Sequence, residues 1–279
     1  MVKTIIISDL HNRVDWIEDA LSSPILQPYN RVIFLGDYFD DFNDTPEMAA
    51  NAARWLRQSL QKPNRIHLTG THDLWYRFPY NRFIAASGNT EAKMYAIRSI
   101  LTQEDWNLLK LYYYEQDFLM SHAGVHINLI SEYVFKHNHL FDKYIVNKEL
   151  QLNGQDIVYR IIKPATIEAI DIVKDGYAHP WLDAGVVRGG RQSVGGITWL
   201  DWRYEFKPIP GLNQIVGHTE LREPEEKYIE QQNAVIEQQN AVIKSSINYD
   251  LDTRNNHVGI LENGKFAYIE TIDVLEDMI

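Results

Sequence analysis

Five short stretches of this 279-residue chain end in side chains able to hold a cation or move a proton. They are "SDLH" with Asp9 and His11, "GDYFD" with Asp37 and Asp40, "GTHD" with Thr71, His72 and Asp73, "SHAG" with His122, and "GHTE" with His218. Asp9 and His11 stand two residues apart, so in an extended chain both side chains leave on the same side. One carboxylate oxygen and one imidazole nitrogen can then share a metal ion. Carboxylates and imidazoles without sulfur favour Mn2+, Fe or Zn2+ over Ca2+. The sequence has no cysteine, which excludes disulfides, zinc-thiolate sites and a thiol nucleophile. Five or six convergent ligands exceed what one ion needs. Two ions about 3.5–4 Å apart can clamp an in-line displacement, with a central carboxylate such as Asp37 as the natural bridge.

Such convergence requires a scaffold. "KTIIIS", "RVIFLGD", "NRIHLTG", "DFLMSHAG" and "NQIVGHTE" are short apolar runs, each closing on one of these polar groups, and they predict five strands. The first three alternate with helical signals. Trp16, Ile17, Ala20 and Leu21 fall at helical spacing, and Thr45-Pro46 supplies an N-cap and first-turn proline before the stripe Met48, Ala52, Trp55, Leu56 and Leu60. This β-α-β-α-β order predicts an α/β layered fold with parallel strands at its start. Open α/β sheets bind ligands beyond the carboxyl ends of their strands, which is where the five polar groups lie. Thr102 with Asp105 marks another helix start, and "SINYDLDT", "NHVGILENG" and "KFAYIETI" predict late antiparallel strands with a hairpin turn at Asn263-Gly264. The segment 128–191 has mixed helical character and a glycine-rich basic close, and is expected to be a cap or insertion. "IEQQNAV" occurs twice in succession within 229–243, which fits two helical turns or a short extended arm on a tolerant surface loop.

Hydrophobic residues make up 45% of the chain, enough for a sizeable core, and the net charge is −11. No long basic run is present, so duplex nucleic acid is not an expected partner. A small phosphorylated ligand remains compatible with a local cation cluster. The opening apolar run is too short to span a bilayer, and a soluble cytoplasmic protein without membrane contact is expected.

The ordered set "DLH", "GDYFD", "GTHD", "SHAG" and "GHT" resembles the calcineurin-like metallophosphoesterase superfamily, whose pattern is D-x-H, G-D-x-x-D, G-N-H-D/E, H and G-H-x-H. The resemblance runs from Ile5 to about Asp252. "SHAG", "GHT", "NYDLDT" and "ITWLDWR" are closest to the phosphoprotein phosphatase and diadenosine tetraphosphatase branch. It implies one α/β domain over 1–279, a sandwich of two mixed β-sheets flanked by helices. It also implies two divalent ions, Mn2+ first and Fe or Zn2+ as alternatives. Asp9, His11 and Asp37 would hold one ion, and Asp37, His122 and His218 the other. His72 would be the general acid, with Asp40 orienting its imidazole.

Three positions depart from the family pattern. Thr71 replaces an asparagine that ligates the second ion, which predicts weaker binding there and reduced turnover. Asp41 stands where the phosphatase branch has a phosphate-clamping arginine, so Arg188, Arg191 and Arg203 are the candidate substrate cations. Glu220 replaces the final histidine. Asp73 is expected to stabilise its loop, and His67, His126, His137, His139, His179 and His257 show no ligand spacing. The implied function is hydrolysis of phosphate esters, as a phosphomonoesterase of the phosphoprotein phosphatase type acting on a small molecule, nucleotide or phosphoprotein. The alternatives are a dinucleoside polyphosphate hydrolase, a cyclic-nucleotide phosphodiesterase and a catalytically silent relative that binds a phosphorylated ligand or a protein.

Overall fold

Short aliphatic runs set the frame of the computed structural model, which describes residues 2–146, 149–150, 152–230, 233–236, 239–242 and 245–276. The strands are β1 (Lys3–Ile7), β2 (Arg31–Phe34), β3 (Arg65–His67), β4 (Tyr112–Glu115), β5 (Phe118–Ser121), β6 (Ile145–Val146), β7 (Glu149–Leu150) and β8 (Asn213–Val216). They continue with β9 (Glu225–Ile229), β10 (Asn233–Ile236), β11 (Gln239–Val242), β12 (Ser246–Asp250), β13 (His257–Glu262) and β14 (Lys265–Glu270). The helices are α1 (Ile17–Ser22), α2 (Pro46–Leu60), α3 (Thr71–Arg77), α4 (Glu91–Arg98), α5 (Gln103–Leu108), α6 (Ile127–Lys136) and α7 (Asn138–Phe141). Next come α8 (Gly154–Ile157), which runs through a π-helical turn at Val158–Ile162 into α9 (Lys163–Lys174), and finally α10 (Thr271–Glu276).

Two five-stranded mixed sheets result, in the orders β14-β13-β1-β2-β3 and β4-β5-β8-β12-β9. β1, β2 and β3 are parallel, as the alternation of strand and helix predicts, and β13 joins β1 antiparallel. In the second sheet β5, β8 and β12 are parallel, so "SINYDLDT" is antiparallel only to β9 and not to its other neighbour. Side chains alternate across each strand. Ile5, Ile7, Val32 and Phe34 pack outward with Ile17, Ala52, Leu56 and Val274 of the helices. Ile6, Ile33, Phe118, Met120 and Ile215 meet in the layer between the sheets. Leu119 points the other way, into a cluster with Ile130, Ile161 and Ala169, so the helices of 128–191 cover the outer face of the second sheet.

Capping chemistry fixes the helix starts. Thr45 accepts from the Met48 N–H at 3.2 Å with Pro46 in the first turn, and Thr102 and Asp105 form a capping box. Asn263 and Gly264 have φ of 53° and 74°, the left-handed pair that a two-residue hairpin needs. Within the duplicated segment, β10 and β11 pair antiparallel, which corresponds to the extended arm and not to helical turns; residues 231, 232, 237, 238, 243 and 244 lie outside the described residues. Among the described residues no helix is long and apolar enough to cross a membrane.

Candidate active site

The site begins with two glycines. A Cβ on Gly36 would lie 2.4 Å from the Gly70 nitrogen, and a Cβ on Gly70 would lie 2.2 Å from Asp37 Oδ1. The turns after β2 and β3 therefore touch main chain to main chain. Asp73 ties them together: its carboxylate accepts from the N–H groups of Asp37 (2.9 Å), Tyr38 (2.9 Å) and Gly70 (2.7 Å). That is the loop-stabilising role expected for Asp73. His72, in the first turn of α3, then donates its backbone N–H to Asp37 Oδ1 at 2.8 Å.

The turns carry unusual backbone. Asp9, His11, Asp37, Asp40 and His218 have φ of 27°, 44°, 52°, 64° and 73°. Each such non-glycine conformation costs about 1–3 kcal/mol and persists only where its surroundings hold it. Five of them at one set of strand ends aim side chains inward.

Two clusters of three candidate ligands converge, each within 4.8 Å: His11, Asp37 and His72, and Asp37, His122 and His218. Asp37 belongs to both. The second cluster is the expected second-ion set. The first contains His72 and not Asp9, both of whose oxygens face the His218 N–H, at 3.1 and 3.2 Å. Asp9 still lines the site, its Oδ1 3.8 Å from His122 Nδ1. The Thr71 hydroxyl donates to the Thr198 carbonyl and lies 3.4 Å from His218 Nδ1, at the edge of the second cluster.

The donor chemistry fits divalent cations. His122 Nε2 lies 3.2 Å from His218 Nδ1 and 3.3 Å from Asp37 Oδ2, and His218 Nε2 is buried without a hydrogen-bond partner. His122 Nδ1 is turned away to the Leu35 carbonyl (3.1 Å), and His11 Nδ1 to that of Asp40 (2.6 Å). This is the outer bonding that orients a ligating imidazole.

Charge is unevenly distributed. Burial alone would raise the Asp37 carboxyl, but the imidazoles of His122, His72 and His11 outweigh it and hold it well below the usual carboxylate range. Burial pushes the Asp9 carboxyl well up, reinforced by Asp252 and Asp37. Burial pushes the His218 imidazole well down, helped by His122 and Arg188. Burial would lower His72 too, yet Asp37 and Asp40 raise it above its ordinary value.

Asp40 shows why. It accepts from His72 Nδ1 (3.1 Å), the Tyr76 hydroxyl (2.6 Å), Asn89 Nδ2 (2.6 Å) and Lys93 Nζ (2.5 Å). Lys93, 4% exposed, also bonds Asp44 at 2.8 Å. Sequence reading identified Asp40 and His72 but missed these supports. Thr90, which caps α4 by accepting from the Lys93 N–H, is the local signal that could have pointed to this helix; nothing local shows that its lysine turns inward.

A cleft of about 350 Å3 opens over this floor, lined by His11, Asp40, His72, His218 and Asp252 together with Arg13, Arg188 and Arg254. Of the three expected substrate cations only Arg188 lines it, held by Asp201 (2.8 Å) and the Thr219 hydroxyl (3.0 Å). Arg191 and Arg203 are exposed elsewhere, Arg203 spending its guanidinium on the Glu220 carbonyl at 2.8 Å. Their places are taken by Arg13 and Arg254, which meet the two oxygens of Asp41 at 3.7 and 3.5 Å. Asp41 therefore does not present a bare negative charge to a phosphate; it gathers two arginines at the rim. Glu220 lines the cleft 3.9 Å from Arg254 Nε and belongs to neither three-ligand cluster. His67, His126, His179 and His257 are hydrogen-bonded away from the ligand clusters, as their spacing implied.

Solved structures that resemble the chain include a cold-active protein-tyrosine phosphatase from a psychrophilic Shewanella species, at 13% identity and TM-score 0.46 over 97% of this chain and 78% of that one. A metallophosphoesterase from Sphaerobacter thermophilus has 14% identity and TM-score 0.40 over 99% of this chain and 92% of that one. No curated protein sequence matches significantly. A sequence model of the calcineurin-like phosphoesterases matches residues 2–219, and the chain belongs to that family, as a metal-dependent phosphoester hydrolase.

Proposed function

We propose that the protein is a phosphomonoesterase working with two divalent ions, Mn2+ first among them. The observation that carries this reading is Asp37 shared between two three-ligand clusters at the floor of an arginine-rimmed cleft. Asp37, His122 and His218 would hold one ion; Asp9, His11 and Asp37 would hold the other. When bound, such ions supply Lewis-acid activation of water and neutralise charge growing on the phosphoryl oxygens.

The remaining work falls to the protein's own groups. Arg13, Arg188 and Arg254 bind the non-reacting phosphate oxygens, each already oriented by a carboxylate. His72 carries the proton for the leaving oxygen, and Asp40 fixes its ring through Nδ1, leaving Nε2 for that transfer. Tyr76, Asn89 and Lys93 hold Asp40 in turn. A phosphoprotein substrate suits the open rim. Phe42, 81% exposed at the cleft mouth with the Arg254 guanidinium 5.7 Å over its ring, favours a second reading in which a nucleobase stacks there, as in a dinucleoside polyphosphate.

The test is His72→Asn assayed with Mn2+ on aryl phosphates of graded leaving-group pKa. A general acid predicts a rate loss of about 10²–10⁴ for poor leaving groups, shrinking for good ones, with metal content unchanged. Equal losses across the series together with loss of one metal would make His72 a ligand and overturn its acid role. Absence of any Mn2+-dependent turnover by the unaltered protein would overturn the enzymatic reading.

A further inference from the structure

A second cavity, of about 440 Å3, lies at the opposite end of α3 from the cleft. One wall is β4, an edge strand, through Tyr112 and Tyr114; the other is α9 and the π-helical turn before it, through Lys163, Ile167 and Tyr159. Arg77, the last residue of α3, and Lys110 complete it.

Its cations differ from those of the cleft. Arg77 Nε is buried with no hydrogen-bond partner, and the guanidinium stands over the Phe78 ring at 5.1 Å. Burial without a carboxylate pulls the Arg77 guanidinium down to about 10. Lys110 sits 5.2 Å over the Tyr113 ring. Among the described residues none of Arg77, Lys110 and Lys163 is in an ion pair, and Asp171 is the one acid in the lining. A chain of net charge −11 has thus left three unpaired cations around one cavity. A half-buried guanidinium whose Nε has no partner is costly, and an anion that bonds it relieves the cost.

The walls specify the rest of the ligand. Tyr112 and Tyr114 are half-buried, Tyr159 is 52% exposed, and Tyr114 meets Tyr159 edge-on at 6.4 Å. Tyrosine faces beside aliphatic side chains suit a flat heteroaromatic body. We propose that this pocket binds a small aromatic phosphate of the nucleoside-monophosphate class. The phosphate lies among Arg77, Lys110 and Lys163, and the base lies against Tyr112, Tyr114 and Tyr159.

The pocket shares its support with the active site. α3 carries Thr71 and His72 at one end and Arg77 at the other, about 10 Å along seven residues. The Lys110 main chain bonds the His67 carbonyl (3.0 Å) and the Thr69 N–H (2.8 Å), in the segment leading to His72.

The experiment is calorimetric titration of the whole protein with the 5′-methylenephosphonate analogue of AMP, whose C–P bond a phosphoesterase does not cleave. Arg77→Met and Lys163→Glu should each weaken binding at least about tenfold, or about 1.4 kcal/mol. The cleft double variant Arg188→Met/Arg254→Met weakens only binding at the cleft, and the binding event weakened in Arg77→Met and Lys163→Glu should persist in it at unchanged affinity. Lys163 is exposed, so its variant keeps the test independent of any folding defect at Arg77. Three results would each overturn the proposal: no binding at millimolar ligand, binding abolished by the cleft variant but intact in Lys163→Glu, or inorganic phosphate binding as tightly as the analogue.

Discussion

The two sheets contribute unequal halves to the active site. The first sheet supplies Asp9, His11, Asp37, Asp40 and His72 on turns whose carboxylates are almost fully bonded; Asp40 alone accepts from four side chains. The second supplies His122 and His218, which face each other at 3.2 Å, with His218 Nε2 left without a partner. The Asp40 network positions groups, while His122 and His218, together with Asp37 of the first sheet, face the place a cation would take. On the proposed function, substitutions in the Asp40 network and substitutions among the cation-facing groups should fail differently.

The largest effect is expected where the halves meet. Asp37→Asn removes a carboxylate common to both ligand clusters, so metal content and turnover should fall together, the latter by about 10³-fold or ~4 kcal/mol. Metal analysis alongside kinetics checks this; retained metal with full loss of rate would confine Asp37 to a role after metal binding. Lys93→Met attacks the Asp40 network alone. It leaves Asp40 and Asp44 buried without their cation, at a cost of about 3 kcal/mol in stability, and should lower kcat with metal content intact. Equal loss of metal would erase the distinction between that network and the cation-facing groups.

His67 sharpens the comparison because it lies just five residues from His72, yet meets no acid. Its ring sits between the Tyr38 hydroxyl (2.9 Å) and Ser59 (3.0 Å), and burial, aided by Arg65, lowers it from 6.5 to about 3. The folded protein therefore keeps His67 neutral while the unfolded chain protonates below 6.5. Its contribution is complete above pH 6.5 and is lost as pH falls towards 3, by at most about 1.4 kcal/mol per unit. Denaturant unfolding between pH 7 and 5 should show that slope, and His67→Gln should flatten it. The smallest effect belongs to Arg254, a half-exposed cation at the rim. Arg254→Met should raise KM for a phosphate monoester several-fold, about 1 kcal/mol, with kcat nearly unchanged.

The candidate ligands were legible in the sequence because each closes an apolar run, and strands β1, β2, β3, β5 and β8 are where those runs placed them. Caps at Thr45 and Thr102 were equally local signals. β4 escaped because its hairpin turns on Gln116-Asp117, with φ of 51° and 63° and no glycine to announce it. β9 escaped because its residues are mostly exposed and follow no apolar alternation. The cleft cations were illegible for a different reason. Arg13 and Arg254 lie 241 positions apart, and what brings them together is a hydrogen bond from Arg13 to the Arg254 carbonyl and their shared partner Asp41. The expectation that Asp41 repels phosphate came from its own charge; the two guanidinium groups that answer it arrive from distant turns. Thr71 could be singled out by comparison with a family pattern, but its bond to Thr198 could not.

The contact of Gly36 with Gly70 bears on how this site ages under heat. Because the spacing of Asp37 and His72 is set by main chain against main chain, neither soft side-chain packing nor a mobile loop lies between the two turns. Warming that loosens rotamers in the surrounding core leaves that spacing in place until the parallel strands themselves separate. Loss of activity on heating should accordingly coincide with global melting and not precede it, so that a thermal inactivation curve doubles as an unfolding curve.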